Sequence, residues 1–199
     1  MNPAQTVARD LVAVGASWGG LQALRTLLRG LPPELGAALV IVQHRSAHSH
    51  PTVLRDLLAA VTALPVRDAD DKCSLEPGHV YMAPPDFHTM VEGAHLELSV
   101  DAAVEYSRPS IDVLFESAAE SFRDRCVGVV LTGANADGAA GLARIVELGG
   151  AAIVQDPESA ERPEMPRAAL AAVPSATIVP VEAIAETLVE LCAERGVAV

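Results

Sequence analysis

The chain has 199 residues, half of them hydrophobic and one fifth charged, with a formal net charge of −12. That length suffices to bury roughly 70% of the surface exposed by the unfolded chain, which predicts one sizeable core and a single domain over 1–199. The charge of −12, with Lys72 the sole lysine, argues against nonspecific nucleic-acid binding, which needs clustered Lys and Arg to neutralise phosphates.

Met1–Asp10 shows neither the basic cluster nor the apolar segment of a signal sequence. The longest apolar runs, such as 37–42, fall far short of the ~20 residues that cross a bilayer. A cytoplasmic protein without membrane insertion is expected. Cys73, Cys126 and Cys192 are odd in number and widely spaced, which suits reduced thiols.

Leu11–Val14 reads as a first strand, 15–20 as a glycine-rich turn, and Leu21, Leu24, Leu28 and Leu31 as the apolar stripe of a helix closed by Pro32-Pro33. Leu39–Val42 is a second strand ending at Gln43-His44, and a helix from Pro51 is expected to turn Val53, Leu54, Leu57 and Leu58 inward. Over 64–100 the period shortens to 2, punctuated by Pro77-Gly78, Pro84-Pro85 and Glu92-Gly93, which predicts a meander with antiparallel pairs at a sheet edge. Ile111, Leu114, Phe115, Ala118, Ala119 and Phe122 share one helix face. A strand over Val127–Leu131, a loop over 132–138 and a helix over Ala139–Leu148 follow. Strands at Ala151–Val154 and Ala176–Val179 and a helix over Val181–Glu194 complete the order. Apolar runs alternating with helical segments predict a three-layer α/β fold: a mostly parallel, doubly wound sheet with an antiparallel edge meander.

Gly15-Ala16-Ser17-Trp18-Gly19 fits G-x-S-x-G at a strand-to-helix turn, a context that lifts a serine hydroxyl above the sheet edge and brings backbone N–H groups near it. The bland alternative is a glycine-rich turn in which Ser17 caps the next helix. His44, at the end of the second strand, lies on the same carboxyl edge and is a candidate base, although a lone histidine there is also read as a packed or solvent-facing residue. Asp137, just past another strand, is the candidate carboxylate that orients the imidazole. Its alternative is an Asp-Gly turn or a helix N-cap.

The blocks Val14-Gly15-Ala16-Ser17, Gln43-His44, Pro77–Pro84, Arg108–Phe115, Leu131-Thr132-Gly133 and Asp137–Gly141 resemble, in order and spacing over nearly the whole chain, the CheB-type protein-glutamate methylesterase domain. The resemblance implies Ser17 as nucleophile, His44 as general base and acid, and Asp137 as orienting acid. It implies hydrolysis of glutamyl methyl esters, and deamidation of glutamines, on the cytoplasmic helices of methyl-accepting chemoreceptors, with no cofactor and no metal. Such enzymes usually carry an N-terminal receiver domain. Here Ser17 stands so near the start that a receiver-type regulator acting in trans is the expectation. The chain departs from the pattern at Trp18, where a Thr or small residue is expected, at Ala134 and Ala136, where Met and Asn are expected, and at Pro163-Glu164, where an aromatic-Gly pair is expected. Trp18 and Ala134 are therefore the candidate oxyanion and substrate-pocket positions.

A short-chain dehydrogenase is disfavoured because no Tyr-x-x-x-Lys is present and the second strand ends in Gln43-His44 instead of an acid. An ordinary α/β-hydrolase would place a histidine after the acid, but no histidine follows His95. His48 and His50 have no acidic or cysteine ligands at recognisable spacing and read as a solvated loop. From another class, a catalytically weakened receptor-binding or scaffold module remains the alternative, motivated by Trp18, Ala134 and Ala136.

Overall fold

The computed structural model of the chain describes residues 10–104 and 106–195. Among them, β1 (Asp10–Ala16), β2 (Ala37–Gln43), β3 (Val66–Asp68), β4 (Val80–Met82), β7 (Cys126–Val130), β8 (Ala151–Gln155) and β9 (Thr177–Val179) form one sheet. Its order is β3-β4-β2-β1-β7-β8-β9, and every neighbouring pair is parallel. Alternation along β1 explains the layers. Leu11 and Ala13 face a core shared with α3 (Ile111–Phe122), α4 (Ala139–Glu147) and α5 (Glu164–Ala172). Val12 and Val14 face the other core, shared with α1 (Gly20–Gly30), Leu58 of α2 (Pro51–Ala59) and α6 (Val181–Arg195). A central strand covered on both faces needs apolar residues at every position, which is why the strands read as continuous runs.

The connection reverses direction at β1: β2 lies on one side of it and β7 on the other. The carboxyl ends of these three strands therefore border the crevice where open parallel sheets place their sites. No helix among the described residues is long and apolar enough to cross a membrane.

Three local expectations change. Within 64–100, β3 and β4 pair parallel at the sheet edge, because Val80, Tyr81 and Met82 are all buried and so must be covered on both faces. The antiparallel pairing is confined to β5 (His88–Glu92) and β6 (His95–Ser99), a separate two-stranded sheet. It is pinned to α3 by Ser117 Oγ, which accepts the Val91 N–H at 3.1 Å, and Ser121 Oγ, which donates to the Val91 carbonyl at 2.9 Å. In α2 only Leu58 is fully buried and Leu54 partly, whereas Val53 and Leu57 are 52% and 45% exposed. Residues four apart share a face, and α2 buries just that one stripe. Finally, α5 has no counterpart in the sequence reading, although Pro163 at its N-cap and Pro166 in its first turn stand where a missing N–H costs nothing.

Candidate active site

Ser17 follows β1 directly, and its backbone is held from three sides. Its N–H donates to the Thr132 carbonyl at 3.0 Å, and its carbonyl accepts the Gly20 N–H at 2.9 Å and Gln43 Nε2 at 2.7 Å. Gln43 Nε2 also donates to the His44 carbonyl at 3.0 Å, while the His44 N–H continues the β1–β2 ladder to the Ala16 carbonyl at 3.0 Å. The separation of Ser17 and His44 is thus set by main-chain bonds and one amide. Gln43 carried no role in the sequence reading beyond its place in a motif.

His44 Nδ1 lies 3.2 Å from Ser17 Oγ, and His44 Nε2 lies 2.7 Å from Asp137 Oδ2. Because an ionised carboxylate only accepts, the Nε2 nitrogen carries the proton and Nδ1 presents its lone pair to the serine. Asp137 is fully buried and saturated: Oδ2 also accepts the Ile111 N–H at 2.7 Å, and Oδ1 accepts the Asp112 N–H and the Ser110 hydroxyl, both at 2.9 Å. Ile111 and Asp112 open α3, so this carboxylate sits on the positive end of a helix distant in sequence from its own. Asp137 and Gly138 do form a turn, closed by the Ala139 N–H on the Ala136 carbonyl at 3.1 Å, but the Asp137 side chain does not cap α4, whose N-cap is Gly138. Burial would push the Asp137 carboxyl up, but the His44 ring and the two α3 N–H groups hold it below its ordinary value.

The buried acid beside it behaves oppositely. Burial pushes Asp112 up to about 6; the Gly141 N–H, 2.7 Å from its Oδ1, pulls it back, and the neighbouring Asp137 charge adds to the rise. A folded value above the unfolded one means that the native state holds the proton more tightly, so ionising Asp112 removes stability as pH rises from about 4 through about 6. Relative to wild type, Asp112→Asn is therefore expected to gain stability between pH 5 and pH 8, on the order of 2 kcal/mol at most. Denaturant melts at the two pH values check this, and an unchanged difference would reject it.

Trp18 is 58% exposed and does not pack as the first apolar residue of α1. Its Nε1–H donates to Glu161 Oε1 at 2.9 Å, and the Arg162 guanidinium lies 5.3 Å from its ring centre. The segment bearing Glu161 and Arg162 is stitched beside the nucleophile: the Arg162 N–H donates to Thr132 Oγ1 at 2.8 Å, the Gly133 N–H to the Arg162 carbonyl at 3.0 Å, and the Met165 N–H to the Gly133 carbonyl at 2.9 Å. The approach is close enough that a Cβ at Gly133 would stand 2.2 Å from Met165 Sδ and 2.9 Å from Ser17 Cβ. Ala134 and Ala136 are exposed in the loop before Asp137.

On the His44 side opens a cleft of about 580 Å³, bordered by Arg45, Asp86, Tyr106 and Arg108 among others. Neither Trp18 nor Ala134 borders it. Arg108 braces its rim, donating to Asp86 Oδ1 at 2.6 and 3.0 Å and to the carbonyls of Val100 and Asp101 at 2.9 and 3.0 Å. Tyr106 stands free on the same rim. Asn135, also unremarked in the sequence reading, places Nδ2 3.4 Å from His44 Nδ1.

The parallel sheet and the hydroxyl–imidazole–carboxylate chain at its carboxyl edge define the class: an α/β protein with the side-chain order that serine hydrolases use to pass a proton. The comparisons narrow it. The family model for CheB methylesterase matches residues 12–188. A Leptospira interrogans protein named for the protein-glutamate methylesterase and protein-glutamine glutaminase activities is 42% identical over 183 residues, covering 92% of this chain and 94% of that one. The protein-glutamate methylesterase/protein-glutamine glutaminase of Geobacillus kaustophilus is 40% identical over 189 residues, 92% of this chain and 54% of its own length. The crystal structure of the Thermotoga maritima CheB methylesterase catalytic domain superposes with a TM-score of 0.87 at 30% identity, covering 92% of this chain and 98% of that one. This chain belongs to the CheB methylesterase family.

Proposed function

We propose that the protein is a carboxylic-ester hydrolase that removes methyl groups from glutamyl esters on the cytoplasmic helices of methyl-accepting chemoreceptors. In this reading Ser17 is the nucleophile, His44 the base and then the acid, and Asp137 the group that keeps the imidazole in its Nε2–H tautomer. The observation that carries it is the unbroken chain Ser17 Oγ, His44 Nδ1, His44 Nε2, Asp137 Oδ2, with contacts of 3.2 and 2.7 Å. The names of the relatives supply the substrate class. They also support deamidation of glutamine at the same site, because attack on a side-chain amide carbonyl needs the same nucleophile and the same proton transfers. Residues 1–199 act as one catalytic domain in the cytoplasm, regulated by a receiver-type domain. The intact hydrogen-bonded chain argues against the scaffold alternative.

The test is release of methanol from a methylated receptor cytoplasmic fragment, with Ser17→Ala as the blank. Binding of the fragment without methanol release would leave the scaffold reading in place.

Trp18, clasped by Glu161 and Arg162 next to the nucleophile, narrows the approach of a receptor helix. Trp18→Thr is therefore expected to raise kcat/KM on the receptor fragment several-fold. Because the indole is mostly exposed, its loss should cost no more than about 1 kcal/mol of stability. A slower enzyme with an unchanged melt would show that the indole helps to hold the receptor.

A further inference from the structure

Asn135 stands in the loop between β7 and α4, half-buried, with Nδ2 3.4 Å from His44 Nδ1. Its Oδ1 is buried and has no hydrogen-bond partner among the described residues. Since His44 Nε2–H is committed to Asp137, Nδ1 offers a single lone pair, and the end of the carboxamide that faces it must be the donor. Two donors, the Ser17 hydroxyl at 3.2 Å and the Asn135 amide at 3.4 Å, thus address one acceptor. A buried polar side chain ordinarily bonds at both ends to the fold around it. Asn135 instead meets a reacting nitrogen at one end and nothing at the other.

We propose that Asn135 is a further catalytic residue, hydrogen-bonding the leaving oxygen of the ester and afterwards the attacking water; this rests on the hydrolase reading above. In the first half-reaction Ser17 Oγ bonds to the ester carbon while its proton passes to His44 Nδ1. The carbon–methoxy bond then breaks, the proton moves from Nδ1 to the methoxy oxygen, and methanol leaves an acyl-serine. In the second half, water bonds to the carbon as its proton passes to Nδ1, the carbon–Oγ bond breaks, and that proton returns to Oγ. Asn135 exchanges no proton in either half.

Whatever exchanges a proton with Nδ1 must come within about 3 Å of it. The methoxy oxygen, and later the water, therefore occupies the space adjoining Nδ1, where Asn135 Nδ2 already stands. When Nδ1 becomes protonated it is a donor itself and no longer accepts from Asn135. The freed N–H turns to the nearest acceptor, the departing oxygen, and that hydrogen bond strengthens as negative charge collects there. An interaction made only in the transition state lowers the barrier without tightening substrate binding.

The experiment compares the full chain with Asn135→Ala on two esters of one glutamyl peptide, the γ-methyl ester and the γ-(p-nitrophenyl) ester, whose leaving group departs unaided, with Ser17→Ala as blank. For the methyl ester, kcat/KM is expected to fall about ten- to a hundredfold, the worth of a hydrogen bond to a charged group. For the nitrophenyl ester it is expected to stay unchanged. Equal losses on both esters would show a merely structural role and overturn the proposal. Faster methyl-ester cleavage would also overturn it, since Asn135 would then only compete with Ser17 for the imidazole. If wild type exceeds Ser17→Ala on neither ester, the hydrolase reading fails and Asn135's role falls with it.

Discussion

Ser17→Ala is expected to reduce methanol release to the background of the blank reaction, and a second deletion, His44→Gln, is expected to change almost nothing more. The reason is geometric. Ser17 Oγ and His44 Nδ1 lie 3.2 Å apart, and neither acts without the other: the hydroxyl is a weak nucleophile until its proton has a destination, and the imidazole has no proton to take without the hydroxyl. Residues that work as a unit are non-additive, and in peptide-cleaving serine enzymes the loss of either partner costs on the order of 10⁶ in kcat. A methyl ester has an easier leaving group than a peptide, so a smaller loss, roughly 10³ to 10⁵, is expected here. Methanol release by the two single variants and the double variant, each first shown to melt cooperatively, decides the matter. Wild-type turnover in Ser17→Ala, or a double variant far slower than either single, would refute the shared role.

Asp137→Asn is expected to damage both rate and stability. An asparagine keeps the shape but presents an NH2 on one side. If that group faces His44, it donates to Nε2, drives the proton to Nδ1 and leaves no lone pair for Ser17. If it faces the other way, it meets the Ser110 hydroxyl and the Asp112 N–H, which Asp137 Oδ1 accepts in the native protein. The wrong tautomer costs about 10⁴ in kcat in the serine-protease case. A loss of about 10² to 10³ is expected for the easier ester. The second arrangement strands donors at the start of α3, so a stability loss of about 1–3 kcal/mol should accompany the kinetic one. Ser110→Ala separates the two effects, because it removes one bond to Asp137 and leaves the tautomer alone. It should melt earlier yet keep most of its turnover.

The legible part of the site followed from strand ends. Ser17 and His44 each stand immediately after a strand, and parallel strands put such positions on one edge. Asp137 was legible for the same reason, seven residues past β7. The partners of that carboxylate were not. Ser110 caps α3 through its contact with the Val113 N–H, and a serine followed by Asp112 in a helix's first turn is a recognisable start signal. Nothing local says that the same helix end receives Asp137. Gln43 and Asn135 likewise look like ordinary polar neighbours of a motif until the chain brings them within 2.7 Å of the Ser17 carbonyl and 3.4 Å of His44 Nδ1.

By itself the sequence determined what depends on neighbours along the chain: the alternation of strands and helices apart from α5, the apolar face of α3, the turn that carries Ser17, and the shared sheet edge of Ser17 and His44. These follow from side-chain periods of 2 and 3.6 and from turn residues, which act over a few positions. Only the tertiary structure decided that β3 and β4 run parallel while β5 and β6 form a separate hairpin, that α2 buries Leu58 and exposes Val53 and Leu57, that His44 turns Nδ1 to the serine, and that Asp137 is seated on the N-terminus of α3. Each of these is a choice of partner between segments far apart in the chain. A strand, a helix end or an imidazole carries the same local signal whichever partner it meets, so the choice is made where burial and hydrogen bonding are satisfied together.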